Sequence, residues 1–107
     1  MQQIPAPELA RLLAESGAGV IQLLDVREGW EYEIAHLPDS THLPMERVPA
    51  EIDRLDPDRP LVCICHHGIR SMQVAMFLSR RGFGQVMNLA GGIDAWSREV
   101  DPDCATY

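Results

Sequence analysis

The sequence predicts an α/β domain built on a mainly parallel β-sheet with helices on both faces. Helix-like and strand-like segments alternate along the 107 residues, which is the order that βαβ units require. The segment Leu-Val-Cys-Ile-Cys at residues 61–65 is entirely apolar, as expected for a strand of a parallel sheet that is covered on both faces. Hydrophobic residues make up 46% of the chain and charged residues 23%, so the composition is that of a globular rather than a disordered protein.

The first third of the chain predicts a helix followed by a strand. Leucines recur at helical spacing over residues 7–15, with Pro and Glu in the first turn, and Gly17 is placed to end the helix. Residues 20–24 are nearly all apolar and predict a strand. Asp25 lies where this strand is expected to leave the sheet.

The middle of the chain is rich in turns. A short helix is predicted over residues 30–34 and a short strand near residues 42–43. Residues 46–55 predict another helix, because three apolar side chains share one face: Val48, Ile52 and Leu55. Prolines and aspartates at 56–60 then interrupt the chain before the strand at 61–65.

The last third predicts a helix, a strand, a second helix and a tail. Residues 71–81 carry an apolar stripe at helical spacing and are followed by Gly82. A short strand runs from residue 85 into a glycine pair, and residues 93–100 close with a helix. We expect residues 101–107 to form a loose C-terminal tail.

Charge and cysteine content exclude several classes of protein. A net charge of −7 argues against a nucleic-acid-binding surface. No apolar run approaches the length of a membrane span, and the N-terminus lacks a signal-peptide pattern, so we expect no membrane partner and a cytoplasmic location. Three cysteines do not suit a secreted disulfide scaffold, so each thiol is kept for packing, metal binding or reactivity.

A short polar loop follows the strand at 61–65 and carries a cysteine, two histidines and an arginine. Gly68 permits the positive φ that a tight turn needs, and a helix is expected to begin at Ser71. Such a turn directs backbone N–H groups and the positive end of a helix dipole toward one spot, and Arg70 adds a positive charge. A thiol at Cys65 would lie in a field that favours its reactive thiolate form. The loop therefore predicts an activated cysteine nucleophile.

Packing and metal binding are the alternatives for these cysteines. Packing is the favoured interpretation of Cys63, which lies inside the strand. It explains Cys65 less well, because a polar loop follows that residue. A metal site would require Cys63, Cys65, His66 and His67 to converge on one ion. Adjacent histidines are expected to point apart, and the spacing matches no zinc pattern, so we predict no metal.

Three segments resemble the signatures of the rhodanese (sulfurtransferase) family. Residues 65–71 match its active-site loop, C-x-x-G-x-R-[ST]. Residues 24–45 resemble its N-terminal signature, and residues 86–96, Val-Met-Asn-Leu-Ala-Gly-Gly-Ile-Asp-Ala-Trp, resemble its C-terminal signature. The first signature departs at Ala35, where the family has glycine, and at residues 38–40, where it has Pro-Gly-Ala.

The resemblance implies a single three-layer rhodanese-like domain over residues 1–107, with a central, mainly parallel five-stranded sheet. It implies that Cys65 takes a sulfane sulfur from thiosulfate or a persulfide donor and passes it to cyanide, a thiol or a sulfur-carrier protein. The persulfide would be bound by the loop: His66, His67, Gly68, Ile69, Arg70 and Ser71. Asp25 would hold a loop arginine, and Arg27 would be structural or line the mouth of the site. No cofactor is implied, and we expect a monomer.

The loop also resembles that of cysteine-dependent phosphatases, which place one more residue between cysteine and arginine. Here four residues intervene, 66–69, and a shorter loop suits one bound sulfur atom better than a phosphate ester. Sulfur transfer is therefore preferred over phosphatase activity and arsenate reduction. Two other functions stay open: a persulfide carrier or sensor for a sulfur-carrier or redox protein, and a non-catalytic interaction module. Whether His66 and His67 titrate functionally or only supply N–H groups also stays open.

Overall fold

Five parallel strands and four α-helices make up the structure, a computed structural model that describes residues 1–107. The strands are β1 (Gln2–Ile4), β2 (Gln22–Asp25), β3 (Thr41–His42), β4 (Leu61–Ile64) and β5 (Val86–Leu89). The helices are α1 (Ala6–Ser16), α2 (Gly29–Ile34), α3 (Ile69–Ser79) and α4 (Gly92–Glu99). The strand order is β1-β5-β4-β2-β3 and every pairing is parallel, which confirms the predicted fold class.

Strand β4 lies at the centre of the sheet, and all four of its residues are buried. Successive side chains point to opposite faces, so Leu61 and Cys63 join one hydrophobic cluster while Val62 and Ile64 join the other. The first cluster is covered by α3 and the second by α1 and α4. This is the three-layer arrangement, and it explains why β4 is apolar throughout.

The carboxyl ends of the central strands meet at one edge of the sheet. Asp25, at the end of β2, is in register with Ile64 at the end of β4. Cys65 follows immediately, and β5 ends nearby at Leu89. Parallel sheets place binding sites at this edge, so the fold brings the predicted loop to the expected position.

Two predicted elements differ from the structure, and one strand was not predicted. Residues 46–55 form two short 3₁₀-helices, Met45–Arg47 and Ile52–Arg54, instead of one α-helix, because Pro49 between them lacks the N–H that a continuous helix needs. Strand β1 was not predicted, since only Ile4 of its three residues is buried. Helix α3 begins at Ile69 rather than Ser71, so the end of the loop is already helical.

The C-terminal tail is irregular but differs from the predicted loose segment. Residues 101–107 contain no helix or strand. Cys104 and Tyr107 nevertheless pack against the hydrophobic cluster under α1 and α4. The tail is therefore tied to the domain through side-chain contacts, which secondary-structure patterns do not reveal. None of the helices combines the length and apolar character needed to cross a membrane.

Candidate active site

The sulfur of Cys65 is the centre of a ring of hydrogen-bond donors. The backbone N–H groups of Gly68 and Ser71 lie 3.1 and 3.3 Å from Sγ, and the Ser71 hydroxyl lies 3.2 Å from it. Cys65 itself is only 1% exposed. These donors favour a negative charge on the sulfur. The arrangement suits a thiolate better than a packed neutral thiol, whereas Cys63 lies in the core, where burial raises the pKa of its thiol.

Helix α3 begins inside the loop and aims its N-terminus at this sulfur. Gly68 is the residue before the first helical turn and has φ of 97°, as predicted for a tight turn. A Cβ at this position would lie 3.1 Å from the carbonyl oxygen of Leu89. The N–H groups of Ile69 and Arg70 belong to the first turn and so have no acceptor within the helix. The loop thus presents free donors and the positive end of the helix dipole beside Sγ.

A second helix holds the beginning of the loop. The N–H groups of Ile93 and Asp94, in the first turn of α4, donate to the carbonyl oxygens of Cys65 and His66 at 2.9 and 3.1 Å. Gly92 makes this approach possible, because a Cβ there would lie only 2.3 Å from the oxygen of His66. Turning these carbonyl oxygens toward α4 leaves the loop's N–H groups free to face the sulfur.

Asn88 supports the loop from the neighbouring strand. Its side-chain amide donates to the carbonyl oxygen of Gly68 at 3.0 Å, and its Oδ1 accepts from the hydroxyl of Ser71. That hydroxyl has one hydrogen and therefore donates either to Asn88 or to the sulfur of Cys65, not to both at once. Asn88 thus fixes both the turn and the rotamer of Ser71.

Arg70, at the far end of the loop, pairs with Glu31 of α2. Its Nη1 and Nη2 donate to the two carboxylate oxygens of Glu31, each at 2.8 Å. Glu31 is buried, and the hydrogen bonds from Arg70 lower the pKa of its carboxyl to about 2. The same pairing raises the pKa of Arg70. The guanidinium remains partly exposed, so one fixed positive charge is present at the edge of the loop.

The sequence did not single out Glu31. It pairs with the loop arginine in the way expected of Asp25. Glu31 lies at the third position of α2, where its carboxylate also accepts the N–H of Glu28 in a capping box. Glu31 lies inside the segment 24–45 that resembles the family's N-terminal signature, and its position in that signature was the available signal, although no role was assigned to it.

Asp25 binds Arg27 instead of the loop arginine, which corrects the expectation drawn from the family resemblance. Both carboxylate oxygens of Asp25 accept from the guanidinium of Arg27, at 2.9 and 2.7 Å. Burial acts to lower the pKa of Arg27, but its hydrogen bonds to Asp25 and Tyr107 outweigh this effect and raise it. Arg27 is fully buried and so does not line the mouth of the site.

The two histidines of the loop stack on each other rather than pointing apart as predicted. The rings of His66 and His67 have centroids 3.9 Å apart, and the other face of His66 stacks on Tyr107, also at 3.9 Å. Burial, with a smaller contribution from His67, lowers the pKa of His66 and so favours its neutral form. Neither backbone N–H group of this pair donates a hydrogen bond to Sγ, whose donors are Gly68 and Ser71.

A metal ion has one set of potential ligands near the loop. One donor atom each from His66, His67 and Asp94 lies within 4.8 Å of the others. Neither Cys63 nor Cys65 belongs to this set, so the four-residue site considered from the sequence does not form. All three cysteines are free thiols.

A large groove of the protein does not coincide with these residues. It has a volume of about 600 Å³ and is lined by residues of α1, β2 and the following turns, together with Trp96. Cys65 and its loop take no part in it. The site is thus identified by its donors and charges rather than by cavity size.

Comparison with known proteins points to one family. A model of the rhodanese-like domain matches residues 6–99. A protein named thiosulfate sulfurtransferase GlpE from Pseudomonas savastanoi pv. phaseolicola is 39% identical over 102 residues, covering 95% of this chain and 92% of that protein. A protein named sulfurtransferase from Allochromatium vinosum is 35% identical, covering 95% and 94%.

A solved structure has the same fold. The rhodanese-like domain protein from Staphylococcus aureus superposes with a TM-score of 0.85 at 27% identity, covering all of this chain and 99% of that one. The similarity therefore extends over the whole domain and is not confined to the cysteine loop.

Proposed function

Because the chain belongs to the rhodanese-like domain family, we propose that it is a thiosulfate sulfurtransferase in which Cys65 carries the sulfur. One observation carries the assignment of the nucleophile: Sγ of Cys65 accepts hydrogen bonds from Gly68 and Ser71 at the N-terminus of α3. A sulfur held in this way is stabilised as an anion and is thus a nucleophile.

The first half of the reaction loads the protein. The Cys65 thiolate attacks the outer sulfur of thiosulfate, a new S–S bond forms, and the S–S bond within thiosulfate breaks. Sulfite leaves with the bonding electron pair, and the product is a Cys65 persulfide. Covalent catalysis of this kind divides one difficult displacement into two easier ones.

The loop supplies the electrostatic part of this step. The donor is a dianion, and Arg70 offers a positive charge at the edge of the loop. The free N–H groups of Ile69 and Arg70 can bind either the donor or the outer sulfur of the persulfide, as an oxyanion hole binds developing charge. Gly68 and Ser71 continue to hold the inner sulfur. Asp25 and Arg27 have a supporting role from a buried position: Asp25 orients Arg27, and Arg27 donates to the carbonyl oxygen of Ala35 at the end of α2 and to the hydroxyl of Tyr107.

The second half of the reaction unloads the protein. An acceptor nucleophile attacks the outer sulfur, and the Cys65 thiolate is released as the leaving group. Cyanide, small thiols or a sulfur-carrier protein have the required nucleophilic atom. We place the reaction in the cytoplasm, where a reducing environment keeps the three thiols free.

Intact-mass measurement tests the proposal directly. The purified protein is incubated with thiosulfate and desalted, and its intact mass is measured. Cyanide is then added, and the thiocyanate formed is measured. We expect the wild-type protein to gain the mass of one sulfur and to lose it to cyanide. Cys65→Ser should gain none, whereas Cys104→Ser, which alters the half-buried tail cysteine, should behave as wild type. Loading of Cys65→Ser to the wild-type extent would disprove the assignment.

Phosphatase activity provides a further comparison. The shorter loop between Cys65 and Arg70 predicts negligible hydrolysis of an aryl phosphate under conditions where thiosulfate loads the protein. Hydrolysis at a rate comparable to sulfur transfer would contradict the argument from loop length.

A second candidate function is a persulfide carrier that delivers sulfur to a protein. Two large apolar side chains next to the loop favour it: Ile69 is 67% exposed and Trp30, beside Glu31, is 61% exposed. Apolar side chains of this size at a site mouth are typical of protein contacts. A persulfide that forms with thiosulfate but does not pass to cyanide would support the carrier over the enzyme. The intact pair of Cys65 and Arg70 argues against a purely non-catalytic interaction module.

A further inference from the structure

Tyr107 of the irregular tail contacts the site through its hydroxyl group. The hydroxyl donates to Oε1 of Glu31 at 2.8 Å and accepts from Nη1 of Arg27 at 2.9 Å. Both hydrogen-bonding functions of the phenol are therefore satisfied by charged partners. Burial raises the pKa of Tyr107 to about 12, so the phenol stays protonated at neutral pH and remains a donor to Glu31.

The ring of Tyr107 makes an independent set of contacts. It stacks on His66 at 3.9 Å with an interplanar angle of 11°, and it meets Trp30 edge to face at 5.8 Å. Aromatic pairs in these geometries stabilise a structure beyond the area they bury. His66 is the residue directly after Cys65, so the tail packs on the beginning of the loop.

These contacts connect Tyr107 to both ends of the loop. The ring restrains His66 at the beginning. The hydroxyl fixes Glu31, and Glu31 holds the guanidinium of Arg70 at the end. No other residue outside the loop both stacks on His66 and hydrogen-bonds to Glu31.

We propose that Tyr107 is a positioning residue for sulfur transfer, which keeps the Cys65 loop and Arg70 in the geometry that binds the anionic donor. This inference rests on the proposed function for its kinetic consequence. Tyr107 does not touch the reacting atoms and acts through His66 and Glu31. Its loss should therefore weaken donor binding more than the chemical steps, because preorganised charge and N–H groups contribute mainly where the donor docks.

Two substitutions separate the ring from the hydroxyl. Tyr107→Phe keeps the stacking and removes both hydrogen bonds, while Tyr107→Ala removes everything. Thr106→Ala, at the exposed neighbouring position, is the matched control. We expect the KM for thiosulfate to rise about threefold to tenfold in Tyr107→Phe and further in Tyr107→Ala. With cyanide as acceptor, kcat should stay within about twofold of wild type, since the chemical groups are intact.

Hydrogen exchange of the loop tests the positioning itself without relying on activity. The amides of Gly68 and Ser71, which donate to Sγ of Cys65, should exchange about tenfold faster in Tyr107→Ala than in wild type, with Tyr107→Phe between them and Thr106→Ala unchanged. Unchanged loop exchange in both tyrosine variants would overturn the proposal whether or not the protein transfers sulfur. A wild-type protein that gains no sulfur would instead refute the proposed function. If kcat in the Tyr107 variants fell only in proportion to the fraction of folded protein, while KM stayed constant, Tyr107 would have a purely structural role and the inference would also be overturned.

Discussion

Glu31 and Arg70 are 39 positions apart in the sequence and meet through two parallel hydrogen bonds of 2.8 Å. Such a two-point pair fixes the plane of the guanidinium as well as its position. Glu31 comes from the first turn of α2 and Arg70 from the first turn of α3. The pair therefore joins the N-terminal starts of two helices and sets where positive charge lies beside Cys65.

The first prediction concerns acid stability. The folded-state pKa of Glu31 is about 2 against an ordinary value of 4.5, so its ion pair stabilises the fold fully above pH 4.5. This stabilisation is lost as the pH falls from 4.5 toward 2. We expect wild type to lose roughly 2 to 3 kcal/mol more unfolding free energy over this window than Glu31→Gln does.

Urea unfolding at several pH values measures this difference. Glu33→Gln, at an exposed position of the same helix, should follow the wild-type pH dependence. If the unfolding free energy of Glu31→Gln fell as steeply as that of wild type between pH 4.5 and 2, the assigned pKa would be contradicted.

The second prediction concerns donor binding. Arg70→Lys keeps the charge but cannot make two parallel hydrogen bonds to Glu31. We expect the KM for thiosulfate to rise by about tenfold, because the charge is no longer fixed in place. Steady-state kinetics with cyanide as acceptor provides the measurement. Arg80→Lys, at an exposed position near the end of α3, is the control, and wild-type kinetics for Arg70→Lys would show that charge alone suffices.

The third prediction concerns the sulfur itself. Ser71→Ala removes one of the three donors to Sγ of Cys65 and leaves the two backbone N–H groups. We expect the rate of persulfide formation at pH 7 to fall about threefold to tenfold. Rapid quenching followed by intact mass gives this rate. Ser79→Ala, at the other end of α3, should load as fast as wild type, and equal loading by Ser71→Ala would show that the hydroxyl serves Asn88 alone.

The fourth prediction concerns the contact between α4 and the loop. Gly92→Ala forces a Cβ to within 2.3 Å of the oxygen of His66 at a residue with φ of 62°. The clash with the loop backbone and the strain of a left-handed backbone conformation together should lower the unfolding free energy by about 2 to 4 kcal/mol. Denaturant unfolding checks this value. Gly84→Ala, where a Cβ meets nothing within 4 Å, should change stability by less than about 1 kcal/mol.

Local patterns predicted most of the fold. The apolar residues of β4 and the regularly spaced leucines of α1 pack into the core, and the spacing of apolar residues predicts which side chains are buried. The helix expected over 46–55 fails because an apolar face at helical spacing can also be buried by two 3₁₀ turns around Pro49. Strand β1 is held by pairing with β5 at the sheet edge, and three residues with one buried side chain carry no usable pattern.

The sequence predicted only the part of the site whose residues are close together along the chain. Cys65, Gly68 and Arg70 lie within one loop, so their spacing alone indicates an anion-binding turn. Glu31 and Tyr107 reach that loop from 34 or more residues away along the chain, and their roles arise from tertiary packing. The stacking of His66 and His67 escaped prediction for the same reason, because Tyr107 supplies the surface on which His66 stacks, and His67 packs on the opposite face of His66.

The burial of Cys65 gives the loaded and empty protein different outlines. Before loading, Cys65 is 1% exposed, with core side chains of its cluster behind it. A persulfide extends the side chain by one sulfur atom at an S–S distance of about 2 Å, and because the core is filled behind Cys65, this atom extends toward the free N–H groups of Ile69 and Arg70. The outer sulfur of the loaded protein lies nearer the surface than the thiolate of the empty protein, which stays buried. Loading therefore changes which sulfur atom is accessible, and an acceptor attacks the outer sulfur without entering the core.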